Sequence, residues 1–367
     1  MQARQLTKII CWVLIIFATV AALALDILPL SRHWDGHRLL VPGDFLEFRQ
    51  EALAVLHHLP GSDNLPYPPP FELISALFAW KSPIAGCAAW EVAGLLALSI
   101  AGLVTRLDRK AILLSLISPP TLYCLTMAQT GLFVSACLLI ATGLADTLPV
   151  LAGMAAGCVI IKPQFGMLLP VIFIASRNRV AFLAAIATVL GLCAASFIIF
   201  GADLWTGGLS HRAAGAQSLI NQSWPQNYQY TMVTMYMMCR SLGASLHVAG
   251  AIQAFSSLAC AITVWHLWQP GMPGGRQRLV ASLCLVMLAT PYAYIYDLPV
   301  LALVVADAAF TRGQRGLILA TILWVAVGFY GVTSTLLFLC GPIFLASIFF
   351  LNQLSPASDN SALTPSR

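Results

Sequence analysis

Charge is what this chain has least of. Only 9% of its 367 residues are Asp, Glu, Lys or Arg, and 59% are hydrophobic, where a soluble domain carries roughly a quarter charged residues. With a mean hydropathy of +0.84, that balance excludes a water-soluble globule and points to a polytopic membrane protein. A basic patch is missing too. The net charge of +5 comes from small clusters in short connections, so nucleic acid is not an expected partner. Ten cysteines are scattered without a C-x-x-C, nearly all inside apolar runs, where free cysteine behaves as a small hydrophobe. Neither a disulfide framework nor a cysteine metal site is expected. No internal repeat is visible, which weighs against a transporter built from inverted halves.

Long apolar runs are what the chain has in plenty. Runs 9–30, 83–104, 179–200, 248–268 and 333–351 each meet the ~20 residues that a hydrocarbon core requires. Shorter runs near 111–128, 130–146, 148–162, 163–176, 278–294, 295–311 and 315–331 read as further spans, some of them tilted or broken. The expected fold is therefore an all-α integral membrane bundle of about twelve transmembrane helices. Residues 1–351 would form a single polytopic domain, and 352–367 a disordered cytoplasmic tail. Arg4 and Lys8, Arg106 with Arg109 and Lys110, Arg177 with Arg179, Arg276 with Arg278, and Arg312 with Arg315 flank the runs. The positive-inside rule assigns all of them to the cytoplasm of an inner (plasma) membrane protein. No small-residue cleavage site precedes Asp26, so 12–25 is expected to remain as an anchor.

Two connections are long, 31–70 and 201–247, and this topology puts both outside the cytoplasm, where they would cap an active site. Long loops in compact proteins are usually functional. In the first, Phe45, Phe48, Leu53, Val55, Leu56 and Leu59 suggest an amphipathic helix lying in the interface; a plain solvated loop is the alternative. Asp44 and Glu47 in Gly43-Asp44-Phe45-Leu46-Glu47-Phe48 are one helical turn apart and could face the same way. Asp44 suits a general base that takes a proton from an acceptor hydroxyl, or a cap for a helix beginning at Phe45. In Tyr67-Pro68-Pro69-Pro70-Phe71-Glu72 the prolines predict an extended polyproline segment, leading into a half-helix over 73–80 that dips into the membrane.

Lys162, in Ile161-Lys162-Pro163-Gln164, falls at the outer end of its run and needs a counter-ion; a membrane-edge cation defaults to a functional hypothesis and suits a phosphate. Snorkelling to lipid headgroups is the plain alternative. Gln129 adds a hydrogen-bonding side chain at the same level. Thr290-Pro291-Tyr292-Ala293-Tyr294-Ile295-Tyr296-Asp297 offers tyrosines for an aromatic belt or for sugar contacts, and Asp297 either caps its helix or meets substrate. Asp44, Tyr67, Gln129, Lys162, Gln164, Asn221, Tyr292 and Asp297 all map to one side of the membrane.

At these residues the chain resembles glycosyltransferase family 87, the polyprenyl-phosphate-mannose-dependent mannosyltransferase type with the C-class glycosyltransferase (GT-C) fold. Gly43-Asp44-Phe45, Tyr67-Pro68-Pro69, Gln129-Thr130-Gly131, Lys162-Pro163-Gln164, Thr290-Pro291-Tyr292 and Tyr296-Asp297 carry the likeness in order. The resemblance implies transfer of a sugar, mannose foremost, from a polyprenyl monophosphate carrier at the extracytoplasmic face to a glycolipid or glycan acceptor, with inversion and without a nucleotide sugar. By position, Asp44 would be the general base, and Lys162 with Gln164 would hold the donor phosphate. Tyr292 stands after Pro291 where members of this type often carry histidine, which leaves the sugar and the acceptor open. Lys162 would neutralise the leaving phosphate without a metal, so no cofactor is expected; Glu47 and Asp297 are the extra carboxylates a metal would want. Two other classes compete: a lipid or polysaccharide transporter or flippase, and a scaffolding subunit of an envelope polysaccharide system.

Overall fold

A computed structural model describes residues 2–27, 41–57, 59, 65–206 and 208–353; the rest of the loop 31–70 and the tail after 353 lie outside the described residues. Regular structure in them is helical. Helix α1 (Gln2–Ala21) continues as a π-helical stretch to Ile27. Helices α2 (Gly43–Leu56) and α3 (Phe71–Phe78) are followed by the long α4 (Pro83–Val104). After it come α5 (Arg109–Leu116), α6 (Pro119–Met127), α7 (Gly131–Gly143), α8 (Pro149–Cys158) and α9 (Leu169–Ala175), then the long α10 (Arg179–Phe200). The second loop carries α11 (Asp203–Thr206), α12 (Gly208–Asn221) and α13 (Met235–Ser241). The chain ends in α14 (Leu246–Leu267), α15 (Gly275–Ala289), α16 (Pro299–Thr311), α17 (Gly313–Gly328) and α18 (Tyr330–Gln353).

Four helices among the described residues are long and apolar enough to cross a membrane: Arg4–Ala24, Pro83–Val104, Arg179–Phe200 and Leu246–Leu267. On α10, Leu183, Leu190 and Ile198 are 62%, 63% and 79% exposed, an apolar surface of the kind that a membrane covers. The remaining runs make shorter helices, so helix length does not establish twelve spans. The run 111–128 is divided at Ser118 and Pro119 into α5 and α6. The runs 148–162 and 163–176 become α8, two 3-10 turns on either side of Lys162, and the seven-residue α9. Proline is the physical cause in each case, because it lacks the N–H and clashes with the preceding turn. A seven-residue helix covers about 10 Å, far short of the hydrocarbon thickness.

The centre of the bundle is α15 and α16, in which Leu279 to Ala289 and Pro299 to Ala309 are buried without interruption. Around them pack α5, α7, α14, α17 and α18. The basic clusters meet at one end. There Arg276 donates to the Arg106 carbonyl at 3.0 Å and its Nε lies 2.9 Å from Asp307, while Arg278 pairs with Asp146 and the Asn178 amide donates to the Ala145 carbonyl. At the opposite end the link between α15 and α16 holds Tyr292, Tyr294, Tyr296 and Asp297. That end is recessed. A side chain at Gly94 would lie 3.0 Å from Leu132 Cβ, so Leu132, just after Gln129, is level with a point about 16 Å along α4 from Pro83 at 1.5 Å per residue.

Candidate functional site

Local sequence explains how six segments converge in the recess. Helix α2 starts at Gly43 behind Pro42, with no side-chain cap bond. Asp44 is therefore inside the first turn rather than capping a helix from Phe45, and its carboxylate is free for another partner. Phe45, Phe48, Ala52 and Val55 form the buried face at three- and four-residue spacing. Leu56 and Leu59, placed on the apolar stripe by sequence, are 42% and 60% exposed. Phe45 and Phe48 pack on Trp90 of α4 with ring centroids 6.2 and 5.9 Å apart, and Phe71, Phe78 and Phe133 complete the aromatic cluster.

The proline run does not stay extended. Pro70 is helical (φ −60, ψ −18), and the Phe71 amide donates to the Pro68 carbonyl at 2.9 Å. The prolines thus make a turn that starts α3, because a fixed φ near −65° is already right for a helix. This turn presents Tyr67 to the recess. Gln129 arrives by a different device: Ala128 ends α6 in the left-handed region at φ 48, a conformation that costs a residue with a side chain roughly 1–2 kcal/mol and redirects the chain. Gly131 lies against the Tyr296 carbonyl, 1.9 Å from where a Cβ would stand, and so only glycine fits.

Two linked charge systems result. In the first, Gln129 Nε2 donates to Asp44 Oδ2 at 2.5 Å, and the Tyr67 hydroxyl donates to Gln129 Oε1 at 2.9 Å. In the second, Lys162 Nζ donates to Asp297 Oδ1 at 2.7 Å, and Asp297 Oδ2 accepts from the Tyr294 amide at 3.1 Å. Asp297 consequently caps its turn, as one of its two sequence readings had it, and also pairs the lysine. Lys162 is 5% exposed, and its ammonium lies 4.8 Å from the Tyr296 ring centre and 5.8 Å from that of Tyr67. Burial, rather than snorkelling, is its state. Tyr67 joins the systems, hydroxyl to Gln129 and ring face to Lys162.

Electrostatics follow from this layout. Burial raises the Asp44 carboxyl above its ordinary range, opposed by the Gln129 hydrogen bond and then by the Lys162 charge. Burial also pushes the Tyr67 phenol up to about 12, so it remains a donor. Tyr292 accepts from the Tyr294 hydroxyl at 2.8 Å, and Tyr294 stacks on Tyr296. Gln164 is half-buried on the turn after Lys162. Glu47 and Asn221 are exposed, outside the hydrogen-bonded core of the site.

Sequence reasoning missed one group entirely. Arg212 of α12 is buried, with Nη2 donating to Glu51 at 2.5 Å and Nη1 donating to Glu72 at 2.9 Å and to the Tyr67 carbonyl at 2.8 Å. The signal was present: Glu51 stands on the same helical face as Phe48 and Val55, and a carboxylate on a buried face needs a cation.

Fold and site together define a helical membrane protein with one recessed, charged polar centre at the end of the bundle away from its arginine clusters. The family model of Glycosyltransferase family 87 matches residues 65–291, more than half of the chain, and the chain belongs to that family; it is a membrane glycosyltransferase. Comparison with curated proteins and with solved structures returned no match. Tyr67, Gln129, Lys162, Gln164, Arg212 and Asn221 fall inside the matched residues, while Asp44, Tyr292 and Asp297 fall outside them.

Proposed function

We propose that the enzyme moves a sugar, mannose foremost, from a polyprenyl monophosphate carrier to a hydroxyl of a glycolipid or glycan acceptor, with inversion at the anomeric carbon. The observation that carries this reading is the pairing of opposite functions across Tyr67: a half-buried carboxylate, Asp44, on one side and a buried ammonium, Lys162, on the other. The acceptor oxygen forms its bond to C1 as Asp44 takes the hydroxyl proton, and the C1–O bond to phosphate breaks toward Lys162. An ammonium has three N–H donors, and Asp297 occupies one of Lys162's. A fixed cation aimed at the leaving oxygen lowers the barrier where charge develops, which supports catalysis independent of a divalent metal.

A lipid carrier is supported by an apolar cavity of about 380 Å³ that begins at Pro163, next to Lys162, and runs between α8, α9 and α10 past Gly157, Phe173 and Val189. The gathering of arginines at the far end supports an extracytoplasmic site in a plasma membrane. The transporter and scaffold readings have no comparable observation in their favour. Asp44→Asn is the decisive variant. With radiolabelled polyprenyl-phosphate mannose and a membrane lipid extract as acceptor, transfer should fall about 10²-fold or more; undiminished turnover would sink the base assignment.

A further inference from the structure

We infer that Arg212 is a positioning residue that holds the general base in register, a role that rests on the Asp44 reading above. One guanidinium grips two separate elements that both lead to Asp44. Through Glu51 it fixes α2, the helix that carries Asp44 two turns earlier. Through Glu72 and the Tyr67 carbonyl it fixes the turn that starts α3, and the Tyr67 hydroxyl then orients the Gln129 amide so that Nε2 faces Asp44. Arg212 touches neither Asp44 nor Lys162. Its geometry suits this role: a planar fork with five donors can serve three acceptors at once, where a lysine ammonium on a flexible stem cannot hold the same directions. The group is dry as well, with Arg212, Glu51 and Glu72 side chains 4%, 1% and 0% exposed, so water does not weaken the grip.

Arg212→Lys tests this, because it keeps the charge and removes the fork. Gln129 and Lys162 act on Asp44, whose charge in turn acts on Glu47 and Tyr67, and R212K alters none of them chemically. With a looser Tyr67, Gln129 no longer holds its hydrogen bond to Asp44, a bond that lowers the carboxyl's pKa. The acid limb of the rate profile should therefore move to higher pH, and kcat should fall up to about 100-fold for a misplacement near 1 Å, with the donor KM little changed. A residue that only stabilises the fold would reduce the yield of active enzyme and leave the limb in place. Tyr67→Phe should shift the limb in the same direction. Glu72→Gln, which keeps an acceptor oxygen while weakening the grip, gives the same readout should R212K fail to fold. An unmoved limb with Asp44→Asn inactive overturns the positioning role alone, whereas full activity in Asp44→Asn overturns both readings.

Discussion

Asp44 and Lys162 are opposite cases of burying a charge. Asp44 is half-buried with the neutral Gln129 amide as its hydrogen-bond partner, so folding disfavours its ionised form and lifts its pKa. A carboxyl with a raised folded pKa costs stability as pH rises through that value, so Asp44→Asn should match or exceed the native melting temperature while losing transfer. Lys162, in contrast, is matched by Asp297. Removing one partner of a buried pair typically costs 3–5 kcal/mol, because the other charge is left stranded, and removing both recovers much of that. Lys162→Gln should therefore lower the melting temperature markedly, and Lys162→Gln with Asp297→Asn should restore much of it while the donor KM stays raised. Thermal unfolding of both variants, set beside their donor titrations, separates Lys162 as phosphate ligand from Lys162 as structural counter-ion. The partner of Lys162 was not legible in advance: Asp297 is 135 residues away, and its place at the start of an apolar run made a cap equally natural. For Arg212, Glu51 on a buried face signalled the need for a cation, but its two carboxylates stand on separate helices, α2 and α3, and the arginine lies 161 and 140 residues from them.

Elements were easier to read than contacts. The break at Pro163 was visible as proline, whereas Pro119 and Pro299 fell inside runs 111–128 and 295–311 that were expected to be single spans; hydropathy located four of the long apolar helices, because length and apolarity are local properties. Two things depended on context. The proline run 68–70 was expected to be extended but forms the turn that leads into α3, since proline suits both geometries and the packing of Phe71 against Phe48 and Trp90 favours the turn. The approach of α7 to the link before α16 depends on a missing side chain, at Gly131. A Cβ there would meet the Tyr296 carbonyl, which cannot rotate away. Gly131→Ala should cost about 1–3 kcal/mol through forced displacement and impair transfer by moving Tyr296 off Lys162. Gly191→Ala on α10, with nothing within 4 Å, should stabilise by roughly 0.5–1 kcal/mol through helix propensity. Denaturation of the two alanine variants under identical detergent conditions checks the contrast.

For the molecule as a whole, the separation of its two ends is the main result. Every described connection rich in arginine meets at one end, and Tyr292, Tyr294, Tyr296, Asp44 and Lys162 meet at the other. Membrane orientation can be measured directly. A cysteine introduced at Ser218, exposed on α12, should react with an impermeant thiol reagent added outside intact cells, and one at Thr147, exposed among the arginines, should react only after lysis. The opposite pattern would turn the protein over in the membrane.

The depth of the recess has a consequence for how the enzyme responds to its medium. With Leu132 level with a point about 16 Å along α4 from Pro83, a donor phosphate held by Lys162 as proposed would sit farther below the Pro83 end of α4 than the Debye length of about 8 Å at physiological ionic strength. On the proposed reading, mobile ions would then have little reach into the gap between Asp44 and Lys162, and the attraction between Lys162 and a leaving phosphate would act through protein. Raising sodium chloride from 0.05 to 0.5 M, the two arms of about a tenfold series on that scale, should leave kcat nearly flat even if capture of a charged acceptor at the rim slows. A steep fall of kcat with salt would mean that the floor is open to solvent after all.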